Sequence, residues 1–169
     1  GVYDVRGFRT RWSDADVGAW TFTHNSLGEA VAWTDAKGRS FTAAYDTLGR
    51  RVSRTELEGT STWTWGSSAT ARNIGRLQSK AGPGYSESLA YDGLGRVSTR
   101  TIKTDQSYQY DYTYNSIGAI DTLTYPTSPV PTGQTGDRLR LRYSYSFGTP
   151  SQIDDITPAT SRTLWKLNV

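Results

Sequence analysis

The feature that most constrains this chain is a short sequence that recurs along most of its length. YDTLGRRVSRT at residues 45–55 returns as YDGLGRVSTRT at residues 91–101. Weaker copies occur as well, and the glycines of the series are Gly7, Gly28, Gly49, Gly75, Gly95 and Gly118, spaced by 20 to 26 residues. A catalytic motif is needed once, whereas a sequence that recurs at a regular spacing is typical of a structural building unit.

Each copy has the composition of a tight turn. Asp or Asn favours the first position because its side chain accepts backbone amide bonds, and Gly adopts positive φ at the last position without a steric penalty. A type I turn followed by a left-handed glycine commonly joins two antiparallel strands. We therefore predict that turns open at Asp4, Asn25, Asp35, Asp46, Asp92 and Asn115 and close at Gly7, Gly28, Gly38, Gly49, Gly95 and Gly118. The structural turn residues also include Tyr3, Tyr45, Tyr91 and Tyr114 before the openers, and Arg50 and Arg96 after the glycines.

The residue before the closing glycine is usually Leu or Ile, as at Leu27, Leu48 and Leu94. An apolar residue at a turn tip predicts that the tip packs against another surface. In residues 66–76, by contrast, Arg72 replaces the acidic turn opener, so this copy of the repeat is irregular.

Between the turns the hydrophobic pattern alternates with a period of two. SYQYDYTYN, residues 107–115, places four tyrosines on one face, and RLRLRYSYSF, residues 138–147, places leucines and aromatic residues through Phe147 opposite Arg and Ser. Such alternation is typical of strands with one packed face and one solvent face. We predict an all-β fold of tandem antiparallel β-hairpins that form a curved, twisted sheet. GRRVSRT carries an additional residue before its Val-Ser pair relative to GRVSTRT, which predicts a bulge near Arg50 and Arg51.

The repeat divides the chain into three parts. Residues 1–124 carry the hairpin array. Residues 125–137, YPTSPVPTGQTGD, form a Pro-rich insertion, which is predicted to be a surface loop because proline cannot donate to a strand ladder. Residues 138–169 are predicted to add further strands to the same sheet.

The composition argues against most kinds of catalytic site. The chain has no Cys and a single histidine, His24, which lies where the repeat has Tyr and is interpreted as a structural substitute for it. The acidic pairs Asp14/Asp16 and Asp154/Asp155 offer no cleft for paired acids and too few oxygens for calcium. We predict no enzyme activity, no cofactor and no metal site. The net charge of +3 is modest, so nucleic acid is not expected as a partner, and no apolar run is long enough for a membrane span.

The letters of the repeat resemble the YD repeats of the Rhs family. The stretch DAKGRSFTAAYDTLGRRVSRTE, residues 35–56, resembles that family almost throughout, and the weaker copies YDVRG, HNSLG and YNSIG extend the resemblance from Tyr3 to Gly118. The family includes bacterial polymorphic toxins, insecticidal toxin-complex subunits and teneurins. The resemblance implies hairpins that wind into a continuous sheet, which closes into a hollow shell and in bacterial members encloses a toxic domain.

Two functions of different classes follow. The resemblance implies a structural shell segment that encloses and protects a cargo or toxin domain of a larger Rhs-type protein, secreted or displayed at the bacterial cell surface. Its partners would be the remaining YD-repeat segments and the enclosed domain; the lack of Met agrees with a piece of a longer chain. The alternative is a cell-surface adhesion module that binds carbohydrate or protein through exposed aromatic residues such as Trp63 and Trp65.

Overall fold

The computed structural model describes residues 1–127, 136–158 and 160–167, and all its regular secondary structure is β-strand. The strands are β1 Val2–Tyr3, β2 Arg9–Asp14, β3 Gly18–His24, β4 Ala30–Thr34, β5 Ser40–Tyr45, β6 Arg51–Glu56, β7 Gly59–Trp65, β8 Leu77–Gly82, β9 Tyr85–Tyr91, β10 Val97–Lys103, β11 Ser107–Tyr114, β12 Ile120–Thr124, β13 Arg140–Ser146, β14 Thr149–Asp155 and β15 Arg162–Lys166. They follow one another in chain order in one antiparallel sheet. The predicted all-β fold of tandem antiparallel hairpins is confirmed. The described residues include no helix that could cross a membrane.

The chain divides into two compact units. The first unit comprises Gly1–Trp65 and Ser79–Tyr85, and the second comprises Gly66–Gln78 and Ser86–Val169. The first therefore holds β1 to β7, and the second holds β10 to β15. Most of the predicted Pro-rich loop lies outside the described residues.

In the first unit the two faces of the sheet carry different side chains. One face has an aromatic ladder in which Trp12 lies opposite Trp20, and Phe22, Trp33 and Phe41 are in register across three strands. The rings of Trp33 and Phe41 stack with centroids 5.7 Å apart and planes inclined by 9°. The other face carries a polar row made of Thr23, Ala32, Thr42, Thr55 and Thr60. Such cross-strand pairs stabilise a sheet individually by about 0.2–1 kcal/mol.

The second unit repeats this division with tyrosine in place of tryptophan. The four tyrosines of β11 are half-buried on one face, which continues through Leu123 to the buried Leu141. The opposite face carries a polar row made of Thr113, Thr122, Arg142, Asp154 and Thr163.

Phe147 departs from the predicted alternation. Ser146 pairs with Thr149, so Phe147 and Gly148 form a two-residue turn, and both have positive φ, 50° and 80°. This geometry matches the twist of the flanking strands but ends the alternation one residue early. The Phe147 side chain is consequently exposed and belongs to neither face.

The aliphatic residues at the turn tips are exposed. Leu27, Leu48, Ile74, Leu94 and Ile117 retain 64 to 75% of their accessible surface. The described residues therefore provide no surface against which the tips pack, and the predicted packing stays a prediction for contacts outside them. Each tip lies beyond the last paired residues of its strands, so no neighbouring strand covers its aliphatic side chain.

Candidate functional site: the repeated turn

The Asp46 hairpin shows how the repeated residues close a turn. The Asp46 N–H donates to the Arg50 carbonyl at 2.9 Å, and the Gly49 N–H donates to the Asp46 carbonyl at 3.0 Å. The Asp46 carboxylate accepts two more backbone bonds, from the Leu48 N–H at 2.9 Å and the Arg50 N–H at 3.0 Å. One acidic side chain thus satisfies two amides that would otherwise lack a partner. Gly49 has φ 73°, a conformation that disfavours any side chain.

The other residues singled out as turn openers have the same arrangement. In each, one side-chain oxygen accepts the N–H groups two and four residues further on; these openers are Asp4, Asn25, Asp35, Asp92 and Asn115. The closing glycines Gly7, Gly28, Gly38, Gly95 and Gly118 have φ between 74° and 84°. Asn serves as well as Asp because its amide oxygen offers the same acceptor.

In the hairpins that open with Asp, an arginine next to the glycine adds an ion pair. Arg50 lies 2.7 Å from the Asp46 carboxylate, and Arg96 lies 2.7 Å from that of Asp92. The pKa of Asp46 is lowered mainly by the hydrogen bond from the Arg50 side chain. The pKa of Asp92 is lowered mainly by the hydrogen bond from the Arg96 backbone N–H. These carboxylates are therefore ionised at neutral pH and act as acceptors within turns, not as general acids.

The strand after most of these turns carries one additional residue; the exception is the Asp35 hairpin, in which Thr34 pairs with Ser40 and Trp33 with Phe41 without a shift. In the Asp46 hairpin, Ala44 pairs with Ser53 and Tyr45 pairs with Arg51, which leaves Val52 as the bulge. The bulge predicted near Arg50 and Arg51 is thus present one residue further along. Its predicted cause is wrong, because hairpins without a second arginine have the same bulge, at Thr10, Val31, Ser98 and Asp121.

Neighbouring hairpins are joined by a hydrogen bond that the sequence analysis missed. The aromatic residue before the turn opener donates to the backbone carbonyl two residues after the glycine of the preceding hairpin whose turn lies at the same edge of the sheet. Tyr114 donates to Val97 at 2.7 Å and Tyr91 to Leu77 at 2.5 Å. Three more bonds follow the same rule: Tyr45 to Ala30 at 3.1 Å, Tyr145 to Ile120 at 2.9 Å and Trp65 Nε1 to Arg51 at 3.0 Å. The signal in the sequence was the aromatic residue ahead of each opener.

The arginines reinforce this connection. The Arg96 guanidinium lies 4.3 Å from the centroid of the Tyr114 ring, and the Arg50 guanidinium lies 5.0 Å from that of Trp65. Each arginine therefore pairs with the Asp of its own hairpin and stacks on the aromatic ring of the next.

Some closing glycines have a second role in packing. A Cβ atom at Gly28 would lie 2.4 Å from the Phe8 ring, and one at Gly49 would lie 3.0 Å from the Glu29 carboxylate. Phe8 and Glu29 each follow the closing glycine of the preceding hairpin. A side chain at Gly28 would therefore displace this neighbour as well as strain the backbone.

The irregular hairpin at residues 66–76 uses a different turn. Asn73, only 6% exposed, accepts the Ser68 N–H through Oδ1 at 2.9 Å, and the Gly75 N–H donates to the Gly66 carbonyl. Arg72 has φ 54°, so a non-glycine residue adopts the left-handed conformation here.

His24 occupies the tyrosine position but does not make the tyrosine's bond. Its ring stacks on Phe8 with centroids 5.5 Å apart, and its buried Nδ1 has no hydrogen-bond partner among the described residues. His24 therefore packs as the tyrosine would, but it does not donate the tyrosine's hydrogen bond.

The acidic pairs have structural partners. Asp14 accepts the Asp16 N–H at 2.9 Å, and Asp155 accepts the Thr157 N–H at 3.0 Å and the Thr160 hydroxyl at 2.8 Å. Within the described ranges, no three His, Asp or Glu side chains are grouped in a way that could hold a metal ion.

The chain has the fold of toxin-complex proteins. It matches the crystal structure of TcdB2-TccC3-Cdc42 with a TM-score of 0.62 and 16% identity, over 98% of this chain and 11% of that one. TcdB2-TccC3 without its hypervariable C-terminal region matches with a TM-score of 0.61 and 15% identity, over 96% and 11%. A Tc holotoxin pore of Photorhabdus luminescens with a TccC3 mutation matches with a TM-score of 0.51 and 15% identity, over 86% and 9%.

These likenesses agree with the continuous sheet of antiparallel hairpins that the YD-repeat resemblance implied. The chain spans about a tenth of the length of each solved chain that it matches. No protein-family model and no curated protein matches the sequence.

Proposed function

We propose that this chain is a structural wall segment of a YD-repeat shell, which encloses and protects a cargo or toxin domain of a larger secreted protein. The observation that carries the proposal is the connection between turns: an aromatic donor on one hairpin binds a carbonyl of the hairpin before it. Such a device lets a sheet extend by identical steps without a second layer, which suits a wall. The shared fold with toxin-complex chains supports the same conclusion.

The surface chemistry supports a role beside other segments. The exposed aliphatic tips, among them Leu48 and Leu94, lie beyond the ends of the paired strands and have no covering segment in the described residues. Exposed apolar residues that recur in this way are typical of surfaces that contact another polypeptide. The partners are therefore the remaining YD-repeat segments of the same protein and the enclosed domain. The wall itself acts by enclosure and catalyses no reaction.

Protease protection tests the proposal. The longer secreted protein is treated with protease, and the survival of the domain that follows the repeats is compared between the parent and Gly28→Ala. We expect protection in the parent and cleavage in the variant, because the clash with Phe8 opens the wall. Gly38→Ala is the matched control, since a Cβ at Gly38 meets no atom within 4 Å. A domain that is cleaved equally in all three proteins contradicts enclosure.

A carbohydrate-binding module is the second candidate, and one cleft favours it. Trp63 and Tyr85 line a space of about 150 Å³ in the first unit together with Ser61 and Lys80. An aromatic wall beside polar groups suits the stacking of a sugar ring. Binding on a glycan array that disappears with Trp63→Ala and persists with Trp12→Ala would favour this function, whereas an array without signal favours the wall.

A further inference from the structure

The arginine after the glycine lacks its usual acidic partner in one hairpin. In the Asp46 and Asp92 hairpins this arginine pairs with the acid three residues before the glycine. In the irregular hairpin the glycine is Gly75, the arginine is Arg76, and the residue three positions before the glycine is Arg72. In the structure Gly66 makes the opener's backbone bonds, since its N–H donates to the Arg76 carbonyl and its carbonyl accepts the Gly75 N–H. The opener therefore has no carboxylate, and Arg76 lacks its acidic partner. Neither arginine forms an ion pair within the described part of the chain.

The two arginines line one cleft. It has a volume of about 310 Å³, lies wholly within the second unit, and is also lined by Ala69, Ile74 and the Gly93–Gly95 backbone with Leu94. Two guanidinium groups without a counter-charge in one cleft favour the binding of an oxyanion, because guanidinium donors match the two oxygens of a carboxylate.

Packing fixes the position of Arg76. Its guanidinium lies 5.6 Å from the centroid of the Tyr91 ring. It also lies against Gly95, where a Cβ atom would come within 2.7 Å of Nη2. The absence of a side chain at Gly95 therefore provides the space that the exposed Arg76 side chain occupies at the cleft.

The backbone at Arg72 has a conformation that glycine adopts more easily. Its φ is 54°, and its N–H closes a turn onto the Ala69 carbonyl at 3.1 Å. A glycine would fit this turn without strain, so the turn itself does not explain the arginine. Its side chain instead supplies the second cation of the cleft.

We propose that Arg72 and Arg76 bind the carboxylate of an acidic peptide segment. A carboxylate is the group that Asp46 and Asp92 supply to the matching arginines of the regular hairpins, so the ligand provides in trans what this hairpin lacks. Ile74 and Leu94, 64% and 75% exposed, flank the cleft and fit an apolar side chain next to the carboxylate. This combination favours a Glu-Leu type of sequence over a free inorganic anion.

A titration followed by methyl NMR tests the site. The probes are the capped dipeptide acetyl-Glu-Leu-amide, its Gln-Leu counterpart and inorganic phosphate, and the signals are the methyl groups of Ile74 and Leu94. We expect the Glu-Leu dipeptide to shift both signals and to bind more tightly than the other two probes. Loss of one charged hydrogen-bonding partner in Arg72→Ala or Arg76→Ala should weaken binding about tenfold or more. The control Arg11→Ala, which removes an exposed arginine of β2, should leave affinity unchanged.

The variant Arg72→Asp keeps the test decisive even if truncation impairs folding. It replaces one of the two cations that line the cleft with a carboxylate, so we expect it to abolish binding of the Glu-Leu dipeptide. Unchanged dipeptide affinity in Arg72→Asp would overturn the proposal. Phosphate binding as tight as that of the dipeptide would overturn the assignment of a peptide ligand.

Discussion

The Tyr114 hydroxyl lies 2.7 Å from the carbonyl oxygen of Val97, although the two residues belong to different hairpins. Val97 is the second residue after Gly95, at the point where Ser98 bulges out of the ladder. Arg96, which lies between Gly95 and Val97 in the sequence, stacks on the Tyr114 ring. The conserved spacing of aromatic residue, acid, glycine and arginine within the repeat is therefore explained by a contact between repeats as much as by the turn itself.

Removal of this hydroxyl should destabilise the sheet. In Tyr114→Phe the ring still stacks on Arg96, but the half-buried Val97 carbonyl loses its donor, so we expect the free energy of unfolding to fall by about 1 kcal/mol. Urea unfolding followed by tryptophan fluorescence measures the change. Tyr3→Phe is the matched control, because Tyr3 is 55% exposed and its hydroxyl donates to no carbonyl among the described residues. Equal losses in the two variants would contradict the role of the bond.

Two glycines with similar backbone conformations should respond differently to alanine. Gly28 and Gly38 have φ 84° and 75°, so alanine costs each about 1 kcal/mol through backbone strain. At Gly28 the added Cβ also meets the Phe8 ring at 2.4 Å, whereas at Gly38 it meets no atom within 4 Å. We expect Gly28→Ala to be less stable than Gly38→Ala by about a further 1–3 kcal/mol. Matched thermal melts check this, and coincident melting temperatures would show that Phe8 simply moves aside.

Acid should weaken the turns that open with aspartate. The pKa values of Asp46 and Asp92 are lowered below 3.8, so the folded protein binds fewer protons than the unfolded chain when the pH falls below that value. Their stabilisation is complete above the ordinary pKa and is lost as the pH falls through the lowered one.

The double variant Asp46→Asn, Asp92→Asn tests this pH dependence. Asn keeps both backbone bonds, as Asn25 and Asn115 do, but loses the ion pair and the titration. Denaturant unfolding at about pH 7 and about pH 2.5 should show a smaller loss of stability in the double variant than in the parent. Identical losses would assign the acid sensitivity to other carboxylates.

Substitution of Arg138 should destabilise the protein more than substitution of most other arginines. Its guanidinium donates to the carbonyls of Tyr125 at 2.7 Å and Gln109 at 2.6 Å, and it pairs with Asp111 at 2.5 Å. Arg138→Ala removes charge-assisted bonds that span several strands, and we expect a loss of about 2 kcal/mol. Arg142→Ala is the control, since its side chain is exposed on β13. Hydrogen exchange of the β11 amides should rise in the first variant and not in the second.

The sequence was sufficient for the turns and the strands because both depend on local chemistry. Asp46 and Gly49 specify their turn through bonds within five residues, and the alternation of Tyr108 to Tyr114 specifies a strand with two different faces. Neither inference requires knowledge of what lies next to the hairpin. The place of Phe147 was missed because a two-residue turn and a strand continuation share the same alternating pattern until the register is known.

The contacts between hairpins could not be predicted from the sequence in the same way. The bond from Tyr91 to Leu77 and the approach of Arg76 to Gly95 depend on the bulge and on which hairpin follows which in the sheet. The exposure of Leu27 and Leu48 could not be predicted either, because the repeat does not show what lies next to a turn tip. Likewise, the prediction that Arg72 replaces the turn opener was wrong, because Gly66 makes the opener's backbone bonds, and the cleft that Arg72 shares with Arg76 depends on how this longer turn folds.

The hydrogen bond between hairpins has a direction, because the donor always belongs to the later hairpin and the acceptor to the earlier one. On a ribosome, Val97 leaves the exit tunnel before Tyr114, so each acceptor is already in place when its donor emerges. The sheet can therefore be assembled during translation, one hairpin at a time, with every new hairpin docking on a finished edge.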